Sequence, residues 1–180
     1  MSIFKFKITI LGDGFVGKTS LITKFTQGSF QEDYIKTIGA QLCKYNQEVE
    51  GDYYELTFWD IAGQDEFHFL RPSFYKSSAA SVIVFSLEEN NLGKDSFKHI
   101  PSWRKEITKF CGDIPVILFA NKIDLVDENK LNDEKIQKWL KKYNFIDYYH
   151  TSAKTGQNVE NAFKRIIKEL HKKQKVKNSE

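Results

Sequence analysis

Residues Gly12 to Thr19 read Gly-Asp-Gly-Phe-Val-Gly-Lys-Thr, glycines at the first, third and sixth positions followed by a lysine and a hydroxyl. A segment of this kind can hold a polyphosphate. Gly12, Gly14 and Gly17 let the backbone curl until its N–H groups point inward at anionic oxygens. A helix that starts where the loop ends adds the positive end of its dipole. Lys18 can reach the β- and γ-phosphates, and the Thr19 hydroxyl can ligate Mg²⁺. The loop alone does not separate ATP from GTP.

Three further clusters follow in order along the chain. Asp60-Ile61-Ala62-Gly63-Gln64 closes an apolar run. A carboxylate there can hold Mg²⁺ through a water, because this hard cation prefers oxygen and keeps its hydration. Gly63 can bring a backbone N–H to the γ-phosphate without a Cβ in the way. Gln64 can orient an attacking water with its amide. Asn121-Lys122-Ile123-Asp124 follows the apolar run Val116 to Ala120. Guanine presents a ring N–H and an exocyclic amine side by side, and the single carboxylate of Asp124 can accept both. Adenine offers no such pair and would leave the carboxylate without donors. Lys122 can lay its methylene stem over a base, and Asn121 can brace the neighbouring loops. Thr151-Ser152-Ala153-Lys154 comes last. A backbone N–H there can meet the guanine carbonyl oxygen, and Ser152 can hold Asp124. Each cluster alone also fits an ordinary polar turn; their joint order is what points to a guanine-nucleotide site.

The elements that must position these groups are legible in outline. Phe4 to Leu11 alternates apolar and polar residues, a strand running into the Gly-rich loop. Ser20 to Gln27 continues as a short helix ended by Gly28. Gln41 to Val49 and Tyr53 to Asp60 read as two strands joined by a tight turn. Ser81 to Leu87 and Pro115 to Ala120 are buried parallel-strand runs, and Ile146 to His150 is a weaker sixth strand. Val159, Ala162, Phe163, Ile166, Ile167 and Leu170 share one face of a C-terminal helix. Ile136, Trp139 and Leu140 mark another helix. Phe97, Ile100, Trp103 and Ile107 mark a third, with Pro101 inside it, so a kink or a restart at Pro101 is expected. Strands alternating with helices predict an α/β, doubly wound sheet of about six strands. The strands are mostly parallel, with one antiparallel edge strand and helices on both faces. Ligands of such sheets sit in the crevice at the carboxyl ends of the strands.

The composition sets outer bounds. A chain of 180 residues with 41% hydrophobic and 28% charged residues fits one globular domain. Residues 1–171 are expected to form it, with 172–180 as a basic, flexible tail. No apolar run reaches the ~18 residues of a spanning helix, and the N-terminus has no signal-peptide layout. Cys43 and Cys111 have no metal-ligand spacing and read as two reduced thiols of a cytoplasmic protein. From Lys164 onward, six lysines and Arg165 face only Glu169 and Glu180, so this end outweighs the net charge of +3. It could give weak contact with an anionic membrane surface; the plainer reading is a solvated helix face. It has no aromatic interleaving, so no nucleic-acid partner is expected.

With all four clusters in place, residues Ile3 to about Leu170 resemble a small GTPase of the Ras superfamily. Thr37-Ile38-Gly39, Trp59-Asp60 and Thr151-Ser152-Ala153-Lys154 resemble the Rab branch. Gly12-Asp13-Gly14, Leu70-Arg71-Pro72 and Val84-Phe85-Ser86-Leu87 look more like the Rho branch. The resemblance implies a first switch over 30–40 and a second over 60–76, where an exchange factor, a GTPase-activating protein and effectors would bind. It implies that Phe30 packs near the base and ribose, and that Thr37 joins Thr19 and Asp60 as a metal-site residue. Nucleotide contacts are implied for Gly14, Phe15, Val16, Gly17, Lys18, Thr19 and Ser20 of the loop, and for Phe30, Tyr34, Thr37 and Gly63. Around the base they are implied for Asn121, Lys122, Asp124, Leu125, Ser152, Ala153 and Lys154. Gln64 and Lys18 would be catalytic. The cofactor would be Mg²⁺, with GTP as substrate and GDP as product, and the protein a monomer.

The chain departs from the family pattern in three places. Phe15 stands where a small residue is usual, Ile61 replaces a threonine, and no cysteine for prenylation or glycine for myristoylation is present at the ends. The expected function is a guanine-nucleotide switch that hydrolyses GTP slowly. A module that binds GTP without hydrolysing it is the alternative, left open by Phe15 and Ile61 and opposed by Gln64. A P-loop kinase would give Asn121 and Asp124 no task.

Overall fold

The computed structural model describes residues 2–29, 37–63, 69–128, 131 and 133–177. Phe30, Tyr34 and Gln64, and most of the first switch segment, lie outside the described residues.

Twelve segments matter for the architecture. The strands are β1 (Ile3–Leu11), β2 (Ala40–Val49), β3 (Asp52–Ile61), β4 (Ala80–Ser86), β5 (Val116–Asn121) and β6 (Tyr148–Thr151). The helices are α1 (Lys18–Gln27), α2 (Arg71–Tyr75), α3 (Asn91–Cys111), α4 (Glu134–Lys142) and α5 (Val159–Lys177), and Ile123–Leu125 forms a single 3-10 turn. The six strands make one sheet in the order β2-β3-β1-β4-β5-β6. Only β2 and β3 pair antiparallel; every other neighbour is parallel. This is the expected doubly wound sheet with its one antiparallel edge.

The period-two alternation of the central strands builds a core on each face. Val82 and Val84 of β4 and Ile117 and Phe119 of β5 point to one side, against Leu21 and Ile22 of α1 and Ala162, Phe163 and Ile166 of α5. Ile83, Phe85, Leu118 and Ala120 point to the other, against Ile100, Trp103 and Ile107 of α3, Ile136 of α4 and Tyr75 of α2. Phe163 is the hub of the first core. Its ring stacks on Phe25 at 4.5 Å and meets Phe58 and Phe119 edge-on at 5.3 and 5.2 Å.

Two expectations change in part. Of the kink or restart expected at Pro101, the restart is absent: the helix runs on through it. α3 begins ten residues earlier, where Asn90 Oδ1 accepts from Gly93 N at 2.9 Å. An interior proline costs ~3 kcal/mol. Burying Ile100, Trp103 and Ile107 offsets that, at ~1.5–3 kcal/mol for each such side chain. The second change is at the C-terminal end, where the basic segment expected to be flexible continues α5 as helix through Lys177. Lys175 Nζ reaches Asp52 Oδ2 at 3.0 Å. No helix among the described residues is long and apolar enough to cross a membrane.

Candidate functional site

The sequence clusters converge because each ends a strand at the same edge of the sheet. β1 runs into the loop 12–17, β3 delivers Asp60, β5 delivers Asn121, and β6 ends before Ser152. The strand order turns back at β1, so the loop lies in the crevice typical of ligand sites in open α/β sheets.

The loop is wound tightly. Gly17 sits at φ 96, and a Cβ there would stand 2.3 Å from Asn121 Nδ2. Asn121 is fully buried and ties three segments together. Its Nδ2 donates to Val16 O at 2.9 Å, and its Oδ1 accepts from Thr151 Oγ1 at 3.2 Å and Ala153 N at 3.3 Å. The phosphate-loop residue Val16 is buried beside it, while Gly14 and Ser20 are part-exposed. Phe15 takes a left-handed backbone, φ 65, and is half-exposed. Gly63 packs directly on the loop. A Cβ there would lie 2.2 Å from Gly12 O and 2.6 Å from Gly14 N, so the close approach requires glycine.

At the metal end, Thr19, Thr37 and Asp60 meet. Thr19 Oγ1 lies 3.1 Å from Thr37 Oγ1, and both hydroxyls bond Asp60 Oδ2, Thr37 at 3.4 Å and Thr19 more closely. Asp60 Oδ1 is buried and accepts no hydrogen bond among the described residues. Two hydroxyls and a carboxylate with a spare buried oxygen form a hard-oxygen donor set that fits Mg²⁺. Burial raises the Asp60 carboxyl, against the pull of Lys18 and both threonines. Burial lowers the Lys18 ammonium to about 8, against the pull of Asp60 and Asp13. Burial thus pushes each charge toward neutrality, against the neighbour that favours it. Lys18 Nζ is held by Gly12 O at 2.8 Å and Asp13 O at 2.7 Å.

At the base end, Ser152 Oγ donates to Asp124 Oδ1 at 2.6 Å, and Thr155 N donates to Ser152 Oγ at 3.0 Å. Asp124, Leu125 and Lys154 are exposed at the rim of the crevice, whereas Ser152 and Ala153 are buried behind it. Lys122 adopts φ 69 and pairs with Glu88 Oε2 at 2.5 Å. Glu88 is a site residue the sequence clusters did not reveal. Burial opposes its charge, but bonds from Lys122 and Ser86 hold its carboxyl below the ordinary value. Asp13, His99, Trp103 and Arg71 form a second unforeseen set, described below.

The sequence profile of the Ras family matches residues 7–172. The chain belongs to the Ras family. It is similar to human Ras-related protein Rab-9A, 32% identical over 92% of this chain and 82% of the relative. It is also similar to Ras-related protein Rab7 of Drosophila melanogaster, 37% identical over 90% of this chain and 78% of that one. Human Ras-related protein Rab-21 is 32% identical over 93% and 72%. The relatives place this Ras-family chain with the Rab-like small GTPases, and GTP binding and GTPase activity are properties of that family. The Rho-like sequence touches at Gly12–Gly14 and Leu70–Pro72 sit within a Rab-like whole.

Proposed function

We propose that this Ras-family chain hydrolyses GTP slowly to GDP and phosphate, and cycles between two states read by different partners. The observation that carries the proposal is the convergence of Thr19, Thr37 and Asp60 beside Lys18. Thr37 belongs to a segment 18 residues beyond Thr19, so a group held between them ties that segment to the phosphate loop. Thr19, Thr37 and Asp60 would hold Mg²⁺, which would neutralise charge on the phosphates. Lys18 and the loop N–H groups stabilise charge on the phosphoryl and leaving oxygens. Gln64 positions the attacking water. Asp124, held by Ser152, accepts from the guanine edge, and Lys122, held by Glu88, covers its face. Phe30, Tyr34 and the backbone of 153–154 complete the nucleotide contacts.

Partners would read residues 30–40 and 60–76. In support, Ile38 and Phe69 are 76% and 66% exposed, and Leu42 lies beside Trp59 across the β2–β3 pair. An activating partner that brings an arginine is implied. The chain's own arginines are engaged elsewhere: Arg71 on Trp103, Arg104 on the Tyr143 carbonyl, and Arg165 on Glu169. We place the switch in intracellular signalling or membrane trafficking, as a cytoplasmic monomer that reaches membranes through partners.

The test is single-turnover phosphate release from GTP, with and without Mg²⁺. Wild type should release phosphate on the timescale of the slow intrinsic Ras rate that serves as the general template, ~10⁻⁴ per second. Gln64→Leu should bind GTP and retain it. Release at an equal rate by Gln64→Leu would remove the glutamine from the mechanism. No release by wild type would favour a binding module.

A further inference from the structure

Asp13 lies in the phosphate loop, and α3 takes both oxygens of its carboxylate. Trp103 Nε1 donates to Oδ1 at 2.7 Å, and His99 Nδ1 lies 2.7 Å from Oδ2. The indole of Trp103 is buried, and its face carries a second charge. The Arg71 guanidinium of α2 stands 4.4 Å from the ring centroid. Arg71 is itself only 5% exposed. It also approaches Glu106 Oε2 at 3.8 Å, and Tyr75, the last residue of α2, donates to Glu106 Oε1 at 3.0 Å. One indole is therefore gripped at its edge by the phosphate loop and on its face by the helix that follows Gly63.

The backbone of Asp13 is part of the site. Its carbonyl accepts from Lys18 Nζ, and a Cβ on Gly63 would fall 2.4 Å from its carbonyl carbon. A bond from a neutral donor to a carboxylate is among the stronger kinds, and the indole that donates it is buried. A cation over a desolvated indole is also at its strongest. These contacts make Arg71 of α2, Trp103 and Asp13 one contiguous chain, buried at Arg71 and Trp103 and part-exposed at Asp13.

We propose that Trp103 is a positioning residue that couples α2 to the phosphate loop. A shift of α2 carries Arg71 off the indole, the indole tilts, and its N–H loses Asp13. The Asp13 carbonyl then releases Lys18, and the nucleotide leaves faster. A partner that pulls on α2 can thus speed release without touching the nucleotide. The inference rests on reading this loop as the nucleotide site.

The test is the release rate of fluorescently labelled GDP, chased with unlabelled GDP, in a double-mutant cycle. Trp103→Phe keeps a ring for Arg71 and removes the N–H. It should raise release by ~10-fold, the scale of one hydrogen bond to a charged group. Arg71→Met should also raise release, and should add nothing further in the Trp103→Phe background. Rates that multiply in the double variant overturn the coupling. So does an unchanged rate in Trp103→Phe. If Trp103→Phe fails to fold, the cycle is run with Arg71→Met and Asp13→Ala, which leave the indole in place. Asp13→Asn, which keeps an oxygen for the indole, should then raise release less than Asp13→Ala; a bystander loop residue would show no such rescue. Wild type that binds no guanine nucleotide would fail the site assignment instead, and independent effects in a nucleotide-binding wild type would fail only the coupling.

Discussion

Ser152 Oγ points its hydrogen at Asp124 Oδ1 across 2.6 Å, joining the loop after β6 to the turn after β5. The bond fixes which way an exposed carboxylate faces. Asp124→Asn replaces an acceptor pair by one donor and one acceptor, so guanine affinity should fall by ~10²-fold or more. Affinity for xanthine nucleotide, whose edge is complementary, should rise. Ser152→Ala leaves the carboxylate in place but unheld, and should cost ~10-fold, the scale of one charge-assisted bond. Equilibrium titration with GDP and xanthosine diphosphate checks both. Unchanged GDP affinity in Asp124→Asn would sink the base-pocket assignment.

Lys18 sets a pH dependence. Burial lowers its ammonium to about 8, from 10.5 in the unfolded chain. Between those values the folded nucleotide-free protein binds fewer protons than the unfolded chain, so its stability rises as pH climbs through that window. Phosphate charges at the loop favour the ammonium, so nucleotide binding above about pH 8 takes up a proton. Affinity should therefore fall with rising pH there, by at most ~10-fold per unit for one proton. Calorimetry at pH 8.5 in two buffers of different ionisation enthalpy measures the uptake. Identical apparent enthalpies would mean that Lys18 is already fully charged before binding.

These residues show what the sequence could and could not say. The loop, Asp60 and the run Asn121 to Asp124 could be put on one sheet edge because each is a short run that ends a strand, the alternating β1 or the apolar β3 and β5; Thr37 came only with the family resemblance. Trp103 was legible only as one member of an apolar stripe. Its bond to Asp13 spans 90 residues, and no local pattern encodes it. α2 escaped notice because five residues hold barely more than one helical turn. At Pro101 a restart was open because the proline's local cost was visible and the tertiary burial that offsets it was not. Lys175 looked like part of a free tail because its partner, Asp52, is remote in sequence.

His171 fastens α5 to the far end of the sheet. Its Nδ1 lies 2.6 Å from the buried Tyr54 hydroxyl, and its Nε2 lies 3.0 Å from Glu50 Oε2. His171→Phe keeps the ring and strands the Tyr54 hydroxyl, which should cost ~1–3 kcal/mol. Adding Tyr54→Phe removes the stranded group and should return part of that loss. Deleting 172–180 removes the last six residues of α5 with the Lys175–Asp52 pair, whose lysine is half-exposed, and should cost less than His171→Phe. None of these changes should alter GDP affinity, because Tyr54 lies six residues, ~20 Å, along β3 from Asp60. Urea unfolding and GDP titration together check the set. A double variant less stable than His171→Phe would contradict the stranded-hydroxyl account.

Phe15 combines two features, a left-handed backbone and an exposed side chain, that Phe15→Ala and Phe15→Gly separate. Its backbone sits at φ 65, a left-handed conformation that costs a residue with a Cβ about 1 kcal/mol or more. The residue is 47% exposed in the phosphate loop. A ring at this position can cover the phosphates or pack on its neighbours, and the prediction is that it covers them. Removing the ring should therefore speed GDP release, while the backbone N–H still serves the phosphate. Phe15→Ala keeps the strain and should melt close to wild type. Phe15→Gly loses the strain as well and should melt above Phe15→Ala, the usual gain where φ is positive being partly offset by glycine's greater freedom when unfolded. Both should raise the GDP off-rate to the same extent, since both lack the ring. If the off-rate stays at the wild-type value while Phe15→Ala melts several degrees lower, the ring is packing on its neighbours, and the covering role is wrong.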